Sequence, residues 1–452
     1  MSGPLQLLYT RRFFPLFITQ FLGAFNDNLF KNALLILITY HIAEKAQMDP
    51  ALMVTAIAGI FIFPFFLFSA TAGQIADKHE KSRLIKMVKV AEIIIMLIAS
   101  LGFYFIAIDL LKTGTYLLLF VLFLMGTQST FFGPLKYSIL PDHLTEQELV
   151  GGNGLIEAAT FIAILLGTIV GGLLILTDQG IMLVSLMIIT LAVIGWITSR
   201  AIPHSPPAAP NLHVKYNVIK ETWNIMDFAR KNRSVYLSII GISWFWFVGA
   251  TFLSQFAPYA KFHFAGNEEV VTLFLAVFSI GIAVGSLLCH KLTGGEVDAR
   301  YVPAGTLGMS IFIIDIFIAS PDLITAETLA NMELIGFSAF LNSGTNLRIL
   351  FDLFAVAVCG GIYIVPLYAI MQARCEKSHR ARTIASNNVL NALFMVVSAI
   401  AIAIMLQLSF TTPLIFISLA IVNGFVFFVI RKLTRERIAE LNELKDNINN
   451  KQ

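Results

Sequence analysis

The feature that most limits what this chain can fold into is a series of twelve long apolar stretches, which alternate with short polar segments. We place them at approximately 13–40, 50–75, 84–108, 115–136, 152–176, 181–200, 234–262, 268–291, 301–319, 350–373, 384–406 and 411–431. A helix that crosses a bilayer needs about 20 predominantly apolar residues, and each stretch meets or nearly meets that length. The sequence therefore predicts an all-α polytopic membrane protein with twelve transmembrane helices.

The composition of the whole chain agrees with this prediction. Hydrophobic residues make up 57% of the chain and charged residues only 13%, whereas soluble domains carry roughly 25% charged residues. The chain enters a full apolar span without a short apolar core and a small-residue cleavage site, so we expect no cleavable signal peptide. Its three cysteines, Cys289, Cys359 and Cys375, are too scattered to predict a disulfide framework or a metal site.

The twelve spans form two groups of six, separated by a polar connection that is rich in proline. Proline resists helix formation, but the later part of the connection, 215–231, has the pattern of a short amphipathic helix at the membrane surface. We predict an N-terminal six-helix bundle over 1–200, a cytoplasmic linker over 201–233, a C-terminal six-helix bundle over 234–432 and a cytoplasmic tail over 433–452. Two roles for the linker stay open, a plain tether and a regulatory element.

Lysine and arginine are distributed unequally between the two sides of the predicted membrane. The polar segments on the side of the N-terminus hold most of them, and the opposite segments hold only Lys45, Lys112, Lys261 and Arg348. Cytoplasmic loops carry an excess of Lys and Arg, so we predict that both termini are cytoplasmic. The longest segment on the outer side, 320–349, has a pattern that allows a short surface helix.

The first span carries a polar cluster in its middle, within the run QFLGAFNDNLFKNA. A charge near the bilayer centre costs about 2.5–3.5 kcal/mol on insertion scales, so such a cluster must face protein or water. Asp27 and Lys31 are four residues apart and share a helix face, with Asn26 beside them. Two interpretations stay open: a buried ion pair that locks helices together, and a substrate or ion-coupling site on a cavity wall, which we favour.

A glycine, an acid and basic residues follow the second span in the loop GQIADKHEKSR. Gly73 allows close helix packing, and Asp77 can pair with a base or with the N-terminus of a neighbouring helix. Lys81 and Arg83 add positive charge to the same loop. We predict that these four residues form a gate at the inner ends of the helices; the alternative is that the loop carries only the positive charge usual on the inner side.

A lysine lies at the inner boundary of the fourth span, directly after Gly133 and Pro134. We expect Pro134 to disrupt the helix there, so that the side chain of Lys136 leaves the helix line. Lys136 then either reaches back to the membrane surface, as boundary lysines do, or binds a phosphate group on the cytoplasmic side of the path.

Polar residues also occur inside the fifth and eleventh spans. Glu157 lies about two turns into the fifth span, on the helix that carries Asn153. A structural hydrogen bond and a role in a cavity are both open for this acid. The eleventh span begins near Asn387, and Asn391 follows one turn later, so both can offer amide groups from the second half of the chain.

Several of these motifs resemble those of one family. The runs QFLGAFNDN, GQIAD, FFGPLKYSIL, GNGLIEA and ILLGTIVGG are similar to the lysophospholipid transporter family within the major facilitator superfamily. The similarity is densest over about 16–175. The second half, with SWFWFVGATFLSQF and RTIASNNVLNALF, resembles the transporter part of bacterial transporter–acyltransferase fusions. The resemblance implies a major facilitator fold with two six-helix halves.

The gate loop departs from the pattern of the superfamily at two positions. Glu80 stands where a glycine is usual, and Ser82 where a base is usual. The counterpart in the second half starts at Gly285, but Cys289 occupies the position of the acid. We therefore expect the loop in the second half to be held differently, or weakly.

The resemblance implies a non-enzymatic transporter that flips lysophospholipids, chiefly lysophosphatidylethanolamine, from the outer to the inner leaflet of a bacterial inner membrane. None of the eight histidines has Asp five residues later, so the chain lacks the HxxxxD acyltransferase motif. We therefore expect a separate acyltransferase to act as a functional partner. We also expect a monomer surrounded by membrane lipids, with no cofactor, no metal and no nucleic-acid partner.

A lysophospholipid carries a phosphate and often an ammonium group, so its headgroup needs both a base and an acid in the site. Asp27, Lys31, Lys136 and Glu157 supply both signs. The alternative is a proton-coupled exporter of a drug or a siderophore-like molecule, in which Asp27 or Glu157 carries the proton. The motifs favour the lipid; the fold alone would not decide between the two.

Overall fold

The computed structural model describes residues 3–38 and 50–449 of the chain. Residues 39 and 40 at the end of the predicted first span, Lys45 on the outer side and residues 450–452 of the predicted tail lie outside the described residues. The helices are α1 (Phe14–Leu37), α2 (Pro50–Lys78), α3 (Lys81–Ala107), α4 (Leu111–Ser138), α5 (Leu140–His143), α6 (Glu146–Ile175), α7 (Gly180–Ser199), α8 (Val218–Lys231), α9 (Arg233–Phe264), α10 (Glu268–Thr293), α11 (Val302–Ala319), α12 (Ala326–Ala330), α13 (Phe337–Leu341), α14 (Gly344–Arg374), α15 (Arg380–Gln407) and α16 (Thr412–Asn449).

The twelve-helix prediction is confirmed. Within 3–38 and 50–449, eleven helices are long and apolar enough to cross a membrane. The twelfth long helix is α1, with 24 residues, and its polar cluster makes it less apolar than the others. The predicted amphipathic helix of the linker is also present, as α8, and the segment 320–349, which we predict to lie on the outer side, contains the short helices α12 and α13.

Close contacts divide the chain into two compact units. The first unit comprises 1–145, 159–231 and 375–392, and the second comprises 146–158, 232–374 and 393–452. Helices α6 and α15 each contribute residues to both units. The predicted boundaries at 200, 233 and 432 stay a prediction, because these units follow contacts rather than the order of the spans.

The first unit has an apolar core into which small residues admit neighbouring helices. Phe30 of α1 meets Phe103 of α3 edge to face, with ring centroids 5.8 Å apart. A Cβ atom on Gly171 of α6 would lie 2.3 Å from the carbonyl oxygen of Leu29. Only glycine fits this contact, so α1 and α6 pack backbone against backbone.

The second unit has a core of aromatic rings. The ring of Phe252 on α9 stacks on Phe416 of α16 at 4.6 Å and on Phe278 of α10 at 5.5 Å. Tyr259 continues the cluster, with its ring centroid 5.4 Å from that of Phe416. Stacked and edge-to-face pairs of this kind add stability beyond the area that they bury.

The prediction that α4 is disrupted at Pro134 is wrong. The helix continues through Pro134 to Ser138. A proline removes one backbone hydrogen bond, but membrane helices tolerate proline where neighbouring helices pack closely. That packing is present, because a Cβ atom on Gly133 would lie 2.6 Å from the side-chain nitrogen of Asn388. Lys136 therefore stays on the helix line.

Candidate functional site

Asp27 and Lys31 of α1 have separate partners in the first unit. Asp27 accepts a hydrogen bond of 2.8 Å from the hydroxyl of Ser129 on α4. The ammonium of Lys31 lies 4.5 Å from the ring centroid of Phe61 on α2. Both charged side chains are partly exposed, whereas Asn26 beside them is fully buried. The acid and the base therefore each keep part of their surface accessible.

A buried ion pair on α3 supports this part of the first unit. The ammonium of Lys89 lies 2.6 Å from the carboxylate of Glu92, and both residues have almost no exposed surface. Asn26 donates to the other oxygen of Glu92 at 3.2 Å, and Gln128 donates to the oxygen that Lys89 contacts at 3.1 Å. Two amide donors therefore join the ammonium of Lys89 around one buried carboxylate, and such additional hydrogen bonds are what a buried ion pair needs to be stable.

The buried network and Asp27 are linked by consecutive residues of α4. Gln128 reaches Glu92, and Ser129 reaches Asp27. The ammonium of Lys89 also comes close to the backbone of α1 at Gly23, where a Cβ atom would lie 2.7 Å from the ammonium nitrogen. Glycine at this position therefore leaves room for the Lys89 side chain. The network thus sets the position of α1 against α3 and α4, and with it the position of Asp27.

Sequence reasoning missed this network. Lys89 and Glu92 fall inside the predicted third span and are three residues apart, which places them on one helix face. The same argument that singled out the charges of the first span applies to them. Their link to Asn26, 66 residues away in sequence, has no local signal.

The carboxylate of Asp77 caps the N-terminus of α15. It accepts hydrogen bonds from the backbone N–H groups of Ala381 at 3.0 Å and Arg382 at 3.2 Å, and from the guanidinium of Arg382 at 3.0 Å. Gly73 makes this approach possible, because a Cβ atom there would lie 2.8 Å from the Cα of Arg382. The predicted pairing of Asp77 with a base or a helix N-terminus is confirmed, and both partners are present. We call this contact the clamp.

A second set of charges lies beside the clamp. Lys81 contacts Asp142 at 2.8 Å, and Arg380 approaches the other oxygen of Asp142 at 3.6 Å. The hydroxyl of Ser205 in the linker donates to Asp142 at 2.6 Å. Arg83 has an exposed side chain and donates its backbone N–H to Glu80. Of the two basic residues predicted for the gate, Lys81 is thus the one whose side chain joins the charged set.

Glu80 has a structural task that accounts for its place in the gate loop. Its carboxylate accepts from the backbone N–H groups of Ser82 and Arg83 and so caps α3. It also accepts from the N–H of Ser205 at 2.9 Å. Partial burial opposes ionisation, but these N–H groups outweigh it and hold the pKa of Glu80 below its ordinary value.

The counterpart loop in the second unit is held by packing. Cys289 is fully buried in α10. A Cβ atom on Gly285 would lie 2.1 Å from the carbonyl oxygen of Val358, so α10 and α14 touch along their backbones. At the position of Cys289 the second unit therefore has close helix contact, where the first unit has an acid.

Asn153 and Glu157 belong to the second unit. Asn153 and Gln372 exchange two hydrogen bonds, of 2.7 and 2.9 Å, between their amide groups. Glu157 is fully buried on the same helix. The amide pair joins α6 to α14, so Asn153 has a structural role, while a contact with substrate stays a prediction for this residue.

The remaining predicted site residues lie in the first unit. Lys136 is partly exposed, with its ammonium 4.6 Å from the ring centroid of Tyr137. It follows Ser129, the partner of Asp27, by seven residues, or about 10 Å of helix rise. Asn387 and Asn391 of α15 are both buried. Among the side chains that the structure describes, the amide of Asn387 has no hydrogen-bond partner for either polar atom.

Metal binding finds no support in the described part of the chain. Within 3–38 and 50–449, no group of three or more His, Cys, Asp or Glu side chains is arranged to hold a metal ion. The first unit instead combines a partly exposed acid and base with one further lysine along α4. Such a set can hold an anionic or zwitterionic group, since charge-assisted hydrogen bonds are roughly twice as strong as neutral ones.

Comparison with known proteins gives the following similarities. The model of the Major Facilitator Superfamily matches residues 16–354. A lysophospholipid transporter of Escherichia coli O1:K1 is 28% identical over 389 residues, which cover 82% of this chain and 82% of the relative. The protein of the same description from strain E24377A of E. coli O139:H28 matches with the same identity and coverage.

Two solved structures share the fold. A bacterial homologue of the iron transporter ferroportin, in an outward-facing state, superimposes with a TM-score of 0.69 at 12% identity and covers 92% of this chain and 99% of its own. The human organic anion transporter described as TETRAN superimposes with a TM-score of 0.68 at 14% identity, with the same coverage. At such identities the likeness concerns the fold alone.

Proposed function

We propose that this chain, which belongs to the Major Facilitator Superfamily, transports lysophospholipids across the membrane. The observation that carries the proposal is the similarity to relatives named lysophospholipid transporter, which extends over 82% of both chains. The superfamily is one of transporters, and the twelve long helices make this chain a multi-pass membrane protein. The substrate class is the part that needs a test.

The partly exposed charges of the first unit support this substrate class. A lysophosphatidylethanolamine headgroup has an anionic phosphate and a cationic ammonium, and Lys31 and Asp27 offer one opposite charge to each. Lys136 lies about 10 Å beyond Ser129 along α4. It would bind the phosphate as the lipid moves toward the clamp. Glu157, Asn387 and Asn391 are proposed as additional polar contacts.

The direction and setting of transport are part of the same proposal. The lipid would move from the outer to the inner leaflet of a bacterial inner membrane, with both termini of the transporter in the cytoplasm. The excess of Lys and Arg in the segments on the side of the N-terminus supports this orientation. A separate acyltransferase would then add the second acyl chain, and the clamp at Asp77 would act as the inner gate.

Uptake by spheroplasts tests the proposal. We expect cells that express this chain to accumulate labelled lysophosphatidylethanolamine in the inner leaflet, and cells without it to accumulate far less. A diacyl phosphatidylethanolamine with the same label is the matched control and should not be taken up, since it has two acyl chains. Equal uptake of the lysolipid with and without the protein contradicts the proposal.

A second measurement addresses the alternative function. Lipid that copurifies with the protein, identified by mass spectrometry, should be enriched in lysophospholipid relative to the membrane. If the lipid is not enriched, and an imposed pH gradient drives uptake of a drug-like molecule, the proton-coupled exporter is the better account.

A further inference from the structure

The linker between the sixth and seventh spans is fastened to the clamp at several points. The backbone N–H of Ala209 donates to the carbonyl oxygen of Asp77 at 2.7 Å. The side chain of Gln74 exchanges hydrogen bonds of 2.8 and 2.9 Å with the backbone of Lys215. Together with the contacts of Ser205 to Glu80 and Asp142, these bonds attach the linker to the end of α2. We call 205–217 the strap.

The strap leads into α8, one face of which packs on the first unit. Ile225 and Ala229 are buried there. The ring of Phe228 stacks on His379 at 4.0 Å, immediately before α15. Since Asp77 caps α15 only two residues later, α8 is in contact with the helix end that the clamp holds.

The other face of α8 exposes large apolar side chains. Ile219 is 85% exposed and Trp223 is 67% exposed, and Tyr216 just before the helix is 77% exposed. Residues 219 and 223 are four apart and so lie on one face. The guanidinium of Arg230 lies 5.6 Å from the Trp223 ring. Such an apolar and aromatic face costs free energy in water and is typical of a helix that lies in a membrane interface.

The charges around this apolar face are mainly basic. The exposed basic residues of the strap end and of α8 are Lys215, Lys220, Arg230 and Lys231, and the exposed acid is Asp227. Helix α9 is a candidate membrane span and begins two residues after α8 ends. The position of α8 in the chain therefore keeps it at the membrane boundary, with basic and apolar groups together.

We propose that α8 is a binding surface for anionic lipid headgroups, and that lipid bound there holds the strap and α15 at the clamp. Trp223 and Ile219 would enter the interface while Lys220, Arg230 and Lys231 contact the headgroups. Each lysine near an anionic surface increases binding about fivefold. The inference does not depend on the transported substrate, since it concerns only the leaflet that α8 meets.

Quenching of tryptophan fluorescence tests the surface directly. The full chain is placed in nanodiscs that contain brominated phosphatidylglycerol or brominated phosphatidylcholine. The contribution of Trp223 is obtained as the difference in quenching between the unchanged protein and the Trp223→Phe variant. We expect this signal to be at least twofold larger with the anionic lipid and to fall as salt is raised. No quenching of Trp223, or equal quenching by both lipids, overturns the proposal.

Charge variants sharpen this result. In the double variant Lys220→Gln/Lys231→Gln, the fraction of phosphatidylglycerol that is needed for half-maximal quenching of Trp223 should rise severalfold. The matched control is Lys291→Gln/Lys432→Gln, which removes two exposed lysines outside α8 and should leave the value unchanged. Equal effects of the two double variants overturn the proposal.

The native thiol of Cys375 reports on the clamp. It is buried beside Thr383 of α15, with a sulfur–oxygen distance of 3.1 Å, and burial raises its pKa to about 11, so it reacts slowly with maleimide. In a Cys289→Ser/Cys359→Ser background, we expect phosphatidylglycerol to slow labelling of Cys375 at least threefold. Phe228→Ala should abolish this lipid effect and keep the quenching of Trp223. Equal labelling rates in both lipids overturn the link between α8 and the clamp.

Discussion

The two units differ in one prominent part of their interiors: the first has a buried ion pair with amide partners, and the second has a cluster of aromatic rings. In the first unit, Lys89 and Glu92 lie 2.6 Å apart and both are buried, and amides from two other helices bind the same carboxylate. In the second unit, Phe252 is buried between the rings of Phe278 and Phe416. A buried ion pair is stabilising only while every partner is present. A ring cluster loses stability in proportion to the atoms that are removed.

This difference has a functional consequence. The polar network of the first unit reaches Asp27 through Gln128 and Ser129, so it can fix the position of a charge that we propose to contact the substrate. The ring cluster formed by Phe252, Tyr259, Phe278 and Phe416 in the second unit contains no charged side chain. The predictions below test whether function follows this division.

The largest effect is expected at Asp27. Asp27→Ala should reduce lysophospholipid uptake at least about tenfold, because a hydrogen bond to a charged group is worth roughly 1.5–3 kcal/mol. Uptake is compared at equal amounts of protein in the membrane. The matched control in the second unit is Asp315→Ala, which removes an acid paired with Arg348 and should transport normally. Normal uptake by a well-expressed Asp27→Ala variant would falsify a functional role, and loss of the protein itself would favour a structural one.

The next effect is a loss of stability in the first unit. Lys89→Met leaves Glu92 buried without its cation and should cost about 3–5 kcal/mol. The double variant Lys89→Met/Glu92→Gln should recover most of that loss, because no uncompensated charge remains. Thermal unfolding in detergent measures both.

The ring cluster supplies the comparison for that experiment. Phe252→Leu keeps an apolar side chain in the second unit and should cost only about 1–2 kcal/mol. If Lys89→Met is no more harmful than Phe252→Leu, the proposed difference between the two interiors does not hold.

The two gate loops should respond unequally to the loss of their central residue. Asp77→Asn removes the charge at the N-terminus of α15 and weakens charge-assisted hydrogen bonds, so the clamp should open and the population should shift toward the inward-open state. Labelling of Cys375 should then become about tenfold faster. Cys289→Ala should change nothing, because that loop is held by Gly285 against Val358. Unchanged labelling in Asp77→Asn rules out the clamp as a gate.

The smallest effect is expected at Lys136. Lys136→Arg should retain partial uptake, since the charge persists while its geometry changes, and Lys136→Glu should transport less than Lys136→Ala, since it repels phosphate. The differences should stay within about tenfold, because the side chain is partly exposed. Lys112→Ala, at the other end of α4, is the control. Equal transport by all three Lys136 variants would leave it a boundary residue, and the phosphate site would then be sought at Lys31.

Local patterns of the sequence predicted the helices and the first elements of the site. The twelve spans, α8 and the clamp residues Gly73 and Asp77 were all evident from apolar length, periodicity and spacing. The effect of Pro134 was predicted wrongly, because α15 packs against Gly133 and keeps α4 intact. A proline rule describes an isolated helix, and neighbouring helices changed the outcome here.

By itself, the sequence determined which segments enter the membrane and which residues carry charge there, because both depend on side chains close together in the chain. Only the tertiary structure decided which charges meet. Asn26 reaches Glu92 across 66 residues, and Asp77 reaches Arg382 across 305. The physical reason is that a buried charge takes its partner from whichever helix packs against it, and that packing depends on contacts such as Gly171 against Leu29 and Gly73 against Arg382.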